Sequence, residues 1–133
     1  DVQITEGHNY DLFSIADLAL ATSGTVTLEA ALCGLPSVIV YRTSAINAFI
    51  ARLVINIPNI GLPNIVADKQ IVPELLQEDF TPQKVADSAM AMLKPEAKEK
   101  LQEDLAYMKH RLGEPGAVNR VAQLILKIAE EKK

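Results

Sequence analysis

Ser23, Gly24, Thr25 and Glu29 are the residues whose types and spacing suit a definite chemistry. Two small hydroxyl residues flank a glycine, and a carboxylate follows at the fourth position after Thr25. Where such a turn opens a helix, backbone N–H groups without intrahelical acceptors meet the positive end of the helix dipole, a combination that suits a phosphate. Gly24 lets an anion approach the backbone closely, and the hydroxyls of Ser23 and Thr25 can donate to it. With either Ser23 or Thr25 as N-cap, Glu29 misses the third helical position that a capping box uses. Its carboxylate is left free about one helical turn, roughly 5–6 Å, from the anion, where it can accept hydrogen bonds from sugar hydroxyls. The plain alternative is an ordinary loop followed by an acid that the helix dipole favours by ~0.3–1 kcal/mol.

The elements around this turn must place it at a sheet edge. Leu18 to Ala21 is a short apolar run with no helical room before Ser23, and it reads as a buried strand. A helix is predicted from about Val26 to Cys33, stopped by Gly34 and Pro36, with Cys33 buried as a small residue. Ser37 to Tyr41 is apolar and β-rich, a second buried strand. Strand, short crossover helix and strand imply a parallel unit, and parallel sheets take ligands beyond the carboxyl ends of their strands.

Other segments are placed by the same signals. Val2 to Ile4 is predicted as a first strand, and Tyr10 to Ala16 as a short helix with Leu12, Phe13 and Ile15 inward. That arrangement puts His8 at the same edge, either against a phosphate or merely solvated. Arg42, just after the second strand, is either an extra countercharge for a diphosphate or a structural arginine. From Ser44 onward, Ile46, Phe49, Ile50, Leu53, Val54 and Ile57 make a helical stripe that either packs on the sheet or, with Arg42 and Arg52, dips into an anionic membrane surface.

Asn59 to Pro63 reads as an extended piece leading to Asn64 in a loop, and Gln70 to Glu78 as a helix opened by Pro73 with Glu74 and Gln77 on one face. Thr81 and Pro82 start a helix to about Leu93. Pro95 starts another, with Leu101, Leu105, Met108 and Leu112 inward, ending at Gly113. A last helix begins near Ala117, carries a seam of Val118, Val121, Ala122, Ile125 and Ile128, and frays at the terminal Glu and Lys residues.

Composition narrows the function classes. The 133 residues, about half of them apolar, fit one globular domain. A net charge of −4 with scattered basic residues disfavours nucleic acid as a partner. Cys33 is the single cysteine, so no internal disulfide forms and a reducing compartment is compatible. His8, Cys33 and His110 lack metal-ligand spacing, so no metal is expected, nor any cofactor, since a Walker loop and a dinucleotide fingerprint are both lacking. The opening at Asp1, with neither a methionine nor a signal sequence, reads as a piece of a longer protein.

The run from Ala16 to Arg42, followed by Leu62 to Asp79, resembles the C-terminal half of the lipid-A-disaccharide synthase family, bacterial glycosyltransferases of two-domain GT-B architecture. The resemblance extends from about Gly7 to Gly113. Its broader signal is the Ser23-Gly24-Thr25 turn with Glu29, which is similar to that of other UDP-sugar transferases. Its more specific signals are Tyr41-Arg42, Leu62-Pro63-Asn64 and Pro73 to Gln77.

This resemblance implies an α/β fold with a Rossmann-like parallel sheet flanked by helices, the nucleotide-sugar core over residues 1–80 and completing C-terminal helices over 81–133. It implies a donor site of Ser23, Gly24, Thr25, Glu29, Arg42, Asn64, Glu74, Gln77 and His8, with no catalytic residue in this half. The donor would be UDP-2,3-diacylglucosamine and the acceptor 2,3-diacylglucosamine 1-phosphate. An N-terminal acceptor domain would supply the activating base. It further implies a peripheral cytoplasmic enzyme at the inner face of the inner membrane and a homodimer exchanging C-terminal helices. The chain alone is expected to fold, bind UDP weakly and turn nothing over. Competing readings are another UDP-sugar transferase or epimerase domain, and a non-catalytic interaction or membrane-docking module.

Overall fold

An apolar, β-branched segment forms the centre of the sheet. In the computed structural model, which describes residues 2–44 and 58–131, strands β1 (Ala19–Thr22), β2 (Ser37–Tyr41) and β3 (Glu74–Leu76) lie parallel in the order β1-β2-β3. Val38 and Ile39 of the central strand are fully buried, as a strand covered on both faces requires. The register sets Ala21 beside Ile39 and Thr22 beside Val40, then Ile39 beside Glu74 and Tyr41 beside Leu76. This is a Rossmann-like α/β fold, and its strands leave the sheet at one common edge.

Helix α2 (Thr25–Leu32) makes the crossover from β1 to β2. It ends in a two-bond Schellman closure, with Leu35 N–H donating to the Ala30 carbonyl and Gly34 N–H to that of Ala31, both at 3.0 Å. Gly34 takes φ +81°, the left-handed value this closure needs. Helices α3 (Leu62–Ala67) and α5 (Pro95–Leu112) pack on each other and on α2, while α4 (Pro82–Met92) packs against β2. Leu101, Leu105 and Met108 of α5 enter the core with Ala67, Ile71 and Val72. Thr81 caps α4 by accepting from Lys84 N–H, as its sequence signal predicts.

Several expectations are corrected. Residues 2–4 form no strand: Val2 and Ile4 are each 95% exposed, because β-forming side chains make a strand only beside a neighbour to pair with. Helix α1 (Asn9–Ile15) forms, yet it buries no residue fully: Leu12 and Ile15 are exposed and Phe13 is half-buried. Cys33 is exposed at the end of α2. Leu62-Pro63-Asn64 opens a helix in place of an extended loop, its proline sitting in the first turn, where its missing N–H costs nothing.

Residues 74–76 are a strand and not a helix, so Glu74 and Gln77 do not share a helical face. Pro73 precedes the strand and its carbonyl accepts from Ile39 N–H at 2.8 Å, so pairing with β2 overrides the local helix signal. Leu112 is exposed at the end of α5. The apolar stripe predicted between Ile46 and Ile57 lies outside the described residues. The last helix, α6 (Ala117–Glu131), forms as predicted and leaves Val118, Val121, Ile125 and Ile128 exposed.

Candidate functional site

Three turns leave the carboxyl edge of the sheet side by side: Ser23 to Thr25 after β1, Arg42 and Thr43 after β2, and Gln77 after β3. The first opens α2 with Gly24 as N-cap. Neither Ser23 nor Thr25 caps the helix, because Thr27, fully buried, donates its hydroxyl to the Gly24 carbonyl at 2.7 Å and locks the turn from within. The N–H groups of Thr25 and Val26 precede the first helical hydrogen bond and have no acceptor in the helix. Gly24 is nearly extended, and no heavy atom stands within 4 Å of where a Cβ would project. The turn therefore faces open space, and Thr25 is exposed there.

The Ser23 hydroxyl is already engaged, donating to the Ile60 carbonyl at 2.9 Å. Ile60 belongs to a knot of bonds beneath the turn. The Glu74 carboxylate accepts from Ile60 N–H at 2.9 Å, Gly61 N–H at 3.0 Å and the Asn64 amide at 2.7 Å. Asn64 is fully buried; it also donates to the Val72 carbonyl at 2.9 Å and accepts from Ile71 and Val72 N–H at 2.7 and 3.0 Å. An Asn has two donors and two acceptor sites, so its whole capacity is used inside the fold. A Cβ on Gly61 would lie 2.2 Å from Ile39 Cδ1, so any larger residue there requires the buried Ile39 side chain to shift.

A second knot is more exposed. Arg42 donates to the carbonyls of Phe80 at 2.7 Å and Gln77 at 3.3 Å, and its guanidinium lies 5.3 Å from the centre of the Phe80 ring. Gln77, at φ +51°, turns its carboxamide onto the Thr43 backbone, accepting from the N–H at 3.3 Å and donating to the carbonyl at 3.2 Å. Arg42 is thus held in place by carbonyls, with its positive charge unpaired by any carboxylate among the described residues.

The structure brings Ser23, Asn64 and Glu74 into one network and Arg42 with Gln77 into another. Glu29 sits half-buried on α2, its carboxylate without a hydrogen bond or ion pair among the described residues. His8 is exposed, 3.4 Å from the Asp11 carboxylate, and no hydrogen bond ties it to the other candidates. Sequence reasoning missed Ile60, Gly61 and Thr27. The only local signal for them was a glycine before the Leu62-Pro63 pair and a threonine just inside α2. Chemically, the described residues offer at this edge helix N–H groups without intrahelical acceptors and the held cation of Arg42 for an anion, while α2 carries the Glu29 carboxylate without a partner among them.

A family model described as lipid-A-disaccharide synthetase matches residues 1–128. Among similar curated proteins, the lipid-A-disaccharide synthase of Syntrophus aciditrophicus is 39% identical over 131 residues, covering 98% of this chain and 34% of the relative. That of Nitrosococcus oceani is 35% identical over 130 residues, 97% of this chain and 33% of the relative. That of Geobacter sulfurreducens is 38% identical over 129 residues, 96% of this chain and 34% of the relative. The chain spans about a third of the length of these relatives.

Proposed function

The chain belongs to the lipid-A-disaccharide synthetase family, and from that premise we propose that it is the donor-binding part of a GT-B glycosyltransferase. The donor is UDP-2,3-diacylglucosamine, and the sugar passes to 2,3-diacylglucosamine 1-phosphate to give the tetraacyl disaccharide 1-phosphate and UDP. The work of this part is to hold the nucleotide and stabilise the charge that builds on the diphosphate as the sugar leaves, a task suited to preset dipoles and cations. Thr25 and Val26 N–H and the Thr25 hydroxyl face one phosphate, Arg42 supplies the countercharge, and Glu29 accepts from ribose hydroxyls. The base that activates the acceptor lies in the other two-thirds of the protein.

The observation that carries this reading is the open turn at Gly24 on the carboxyl edge of a parallel sheet, with Arg42 anchored at the neighbouring strand end. Titrating the ¹⁵N-labelled chain with UDP should shift the amide signals of Gly24, Thr25, Val26 and Glu29, saturating weakly. A titration that leaves all of them unmoved overturns the reading. Turnover of donor and acceptor by this chain alone would overturn the assignment of the base to the remainder.

Both substrates are acylated, which supports a place at the inner face of the inner membrane. No helix among the described residues is long and apolar enough to cross a membrane, so attachment through these residues would be peripheral. The exposed stripe of α6 supports packing of that helix on the rest of the enzyme or on a second copy in an exchanged dimer.

A further inference from the structure

Asn64 and Glu74 stand out because they lie in the motifs that suggest nucleotide contact, yet their polar atoms are bonded to the chain's own groups. Asn64 has no exposed surface and no unused donor or acceptor. Glu74 spends its carboxylate on three N–H donors, two of them backbone amides of consecutive residues. Ile60 is tied at both ends, its N–H on Glu74 and its carbonyl on the Ser23 hydroxyl. The chain of bonds therefore runs without a gap from buried Asn64 to the turn at Gly24.

Resting on the donor-site reading above, we propose that Asn64 and Glu74 are positioning residues. They hold the Ile60–Gly61 peptide as a preset wall of the donor mouth and act on the nucleotide through Ile60 and Ser23 without touching it. Two physical points support this. The bonds to a carboxylate are charge-assisted, stronger than the amide-to-carbonyl bonds a loop usually relies on. The Ser23 hydroxyl has one proton, so while it donates to Ile60 it cannot also donate to a phosphate. Ser23 thus serves the mouth as a tether, and the phosphate is left to the backbone amides and Thr25.

The test uses the 133-residue chain and UDP. In the free wild-type chain, Ile60 and Gly61 amides should exchange slowly with solvent deuterium, and in Glu74→Gln about tenfold faster or more, while Val38 to Val40 stay protected. UDP affinity should fall roughly five- to tenfold in Ser23→Ala and in Glu74→Gln alike. The double variant should be within about twofold of the weaker single, because both changes cut one chain of bonds. Multiplying losses would show that Glu74 and Ser23 act separately and would overturn the proposal.

The wild-type chain gives an independent check that no unfolded variant can spoil. The Asn64 side-chain amide signals should stay in place at saturating UDP, and a shift as large as that of Gly24 would show direct contact and overturn the proposal. If UDP shifts nothing anywhere, the donor-site reading falls and takes the positioning role with it. Unprotected Ile60 and Gly61 amides beside a normal UDP response would remove the clamp alone.

Discussion

The two bonded clusters at the sheet edge are built from similar parts and do opposite things. Around buried Asn64 and half-buried Glu74, polar groups satisfy one another and the backbone of a loop. Around Arg42 and Gln77, the exposed guanidinium hangs on carbonyls beside a half-buried carboxamide paired with the Thr43 backbone, which leaves a positive charge facing water. The difference lies in which atoms are free. The inner cluster has spent its hydrogen bonds on shape, and the outer one keeps charge in hand. In the proposed donor site the inner cluster would fix the geometry and the outer one would meet the charge of a departing diphosphate.

The comparison breaks first at the inner cluster. Asn64→Ala removes four hydrogen bonds and strands the Ile71 and Val72 amides in the core. Each stranded group costs about 1–3 kcal/mol, so a loss of about 3 kcal/mol or more is expected. In thermal unfolding this should appear as a fall of roughly 10 °C. A variant that melts within about 2 °C of wild type would show that the inner cluster is not what shapes the edge.

The outer cluster should separate binding from stability. Arg42→Ala takes away an exposed side chain, for which a stability change of less than about 1 kcal/mol is expected. The same change removes a cation held at the end of the neighbouring strand, and UDP affinity should fall about five- to tenfold at low salt. Lysine at this position keeps the charge without the planar fork that grips two carbonyls, so Arg42→Lys should recover only part of the loss. Equal affinities in all three chains, measured by calorimetry, would mean that Arg42 merely closes the β2–β3 edge.

The same contrast explains what the sequence made legible. β1, β2, α4, α5 and α6 follow from apolar runs, Thr81-Pro82, Pro95 and Gly113, signals that act within a few residues of themselves. The turn at Ser23-Gly24-Thr25 was legible for the same reason. β3 was not, because Pro73 carries a helix-start signal that only a strand from elsewhere can overrule. The inner cluster was hidden by distance along the chain: Ser23 reaches Ile60 across 37 positions, and Glu74 reaches back 14 and 13 to Ile60 and Gly61. Nothing in residue type or local spacing distinguishes an Asn64 that binds a ligand from one that staples a loop.

The smallest expected effect on the fold belongs to the region that shares nothing with either cluster. Helix α6 exposes Val121, Leu124, Ile125, Leu126 and Ile128, so its apolar side is not part of the packing that holds the sheet. Changing Ile125 to Glu should therefore move the melting of the core by no more than about 0.5 kcal/mol. It should instead change association, because an exposed stripe of this kind is stabilised only by a partner surface. In sedimentation at rising concentration the wild-type chain should shift toward a dimer and the Ile125→Glu chain stay monomeric. Identical sedimentation of the two would show that the α6 stripe does not pair two copies of this chain. A large loss of core stability would instead show that α6 is bound into the same unit as the two clusters.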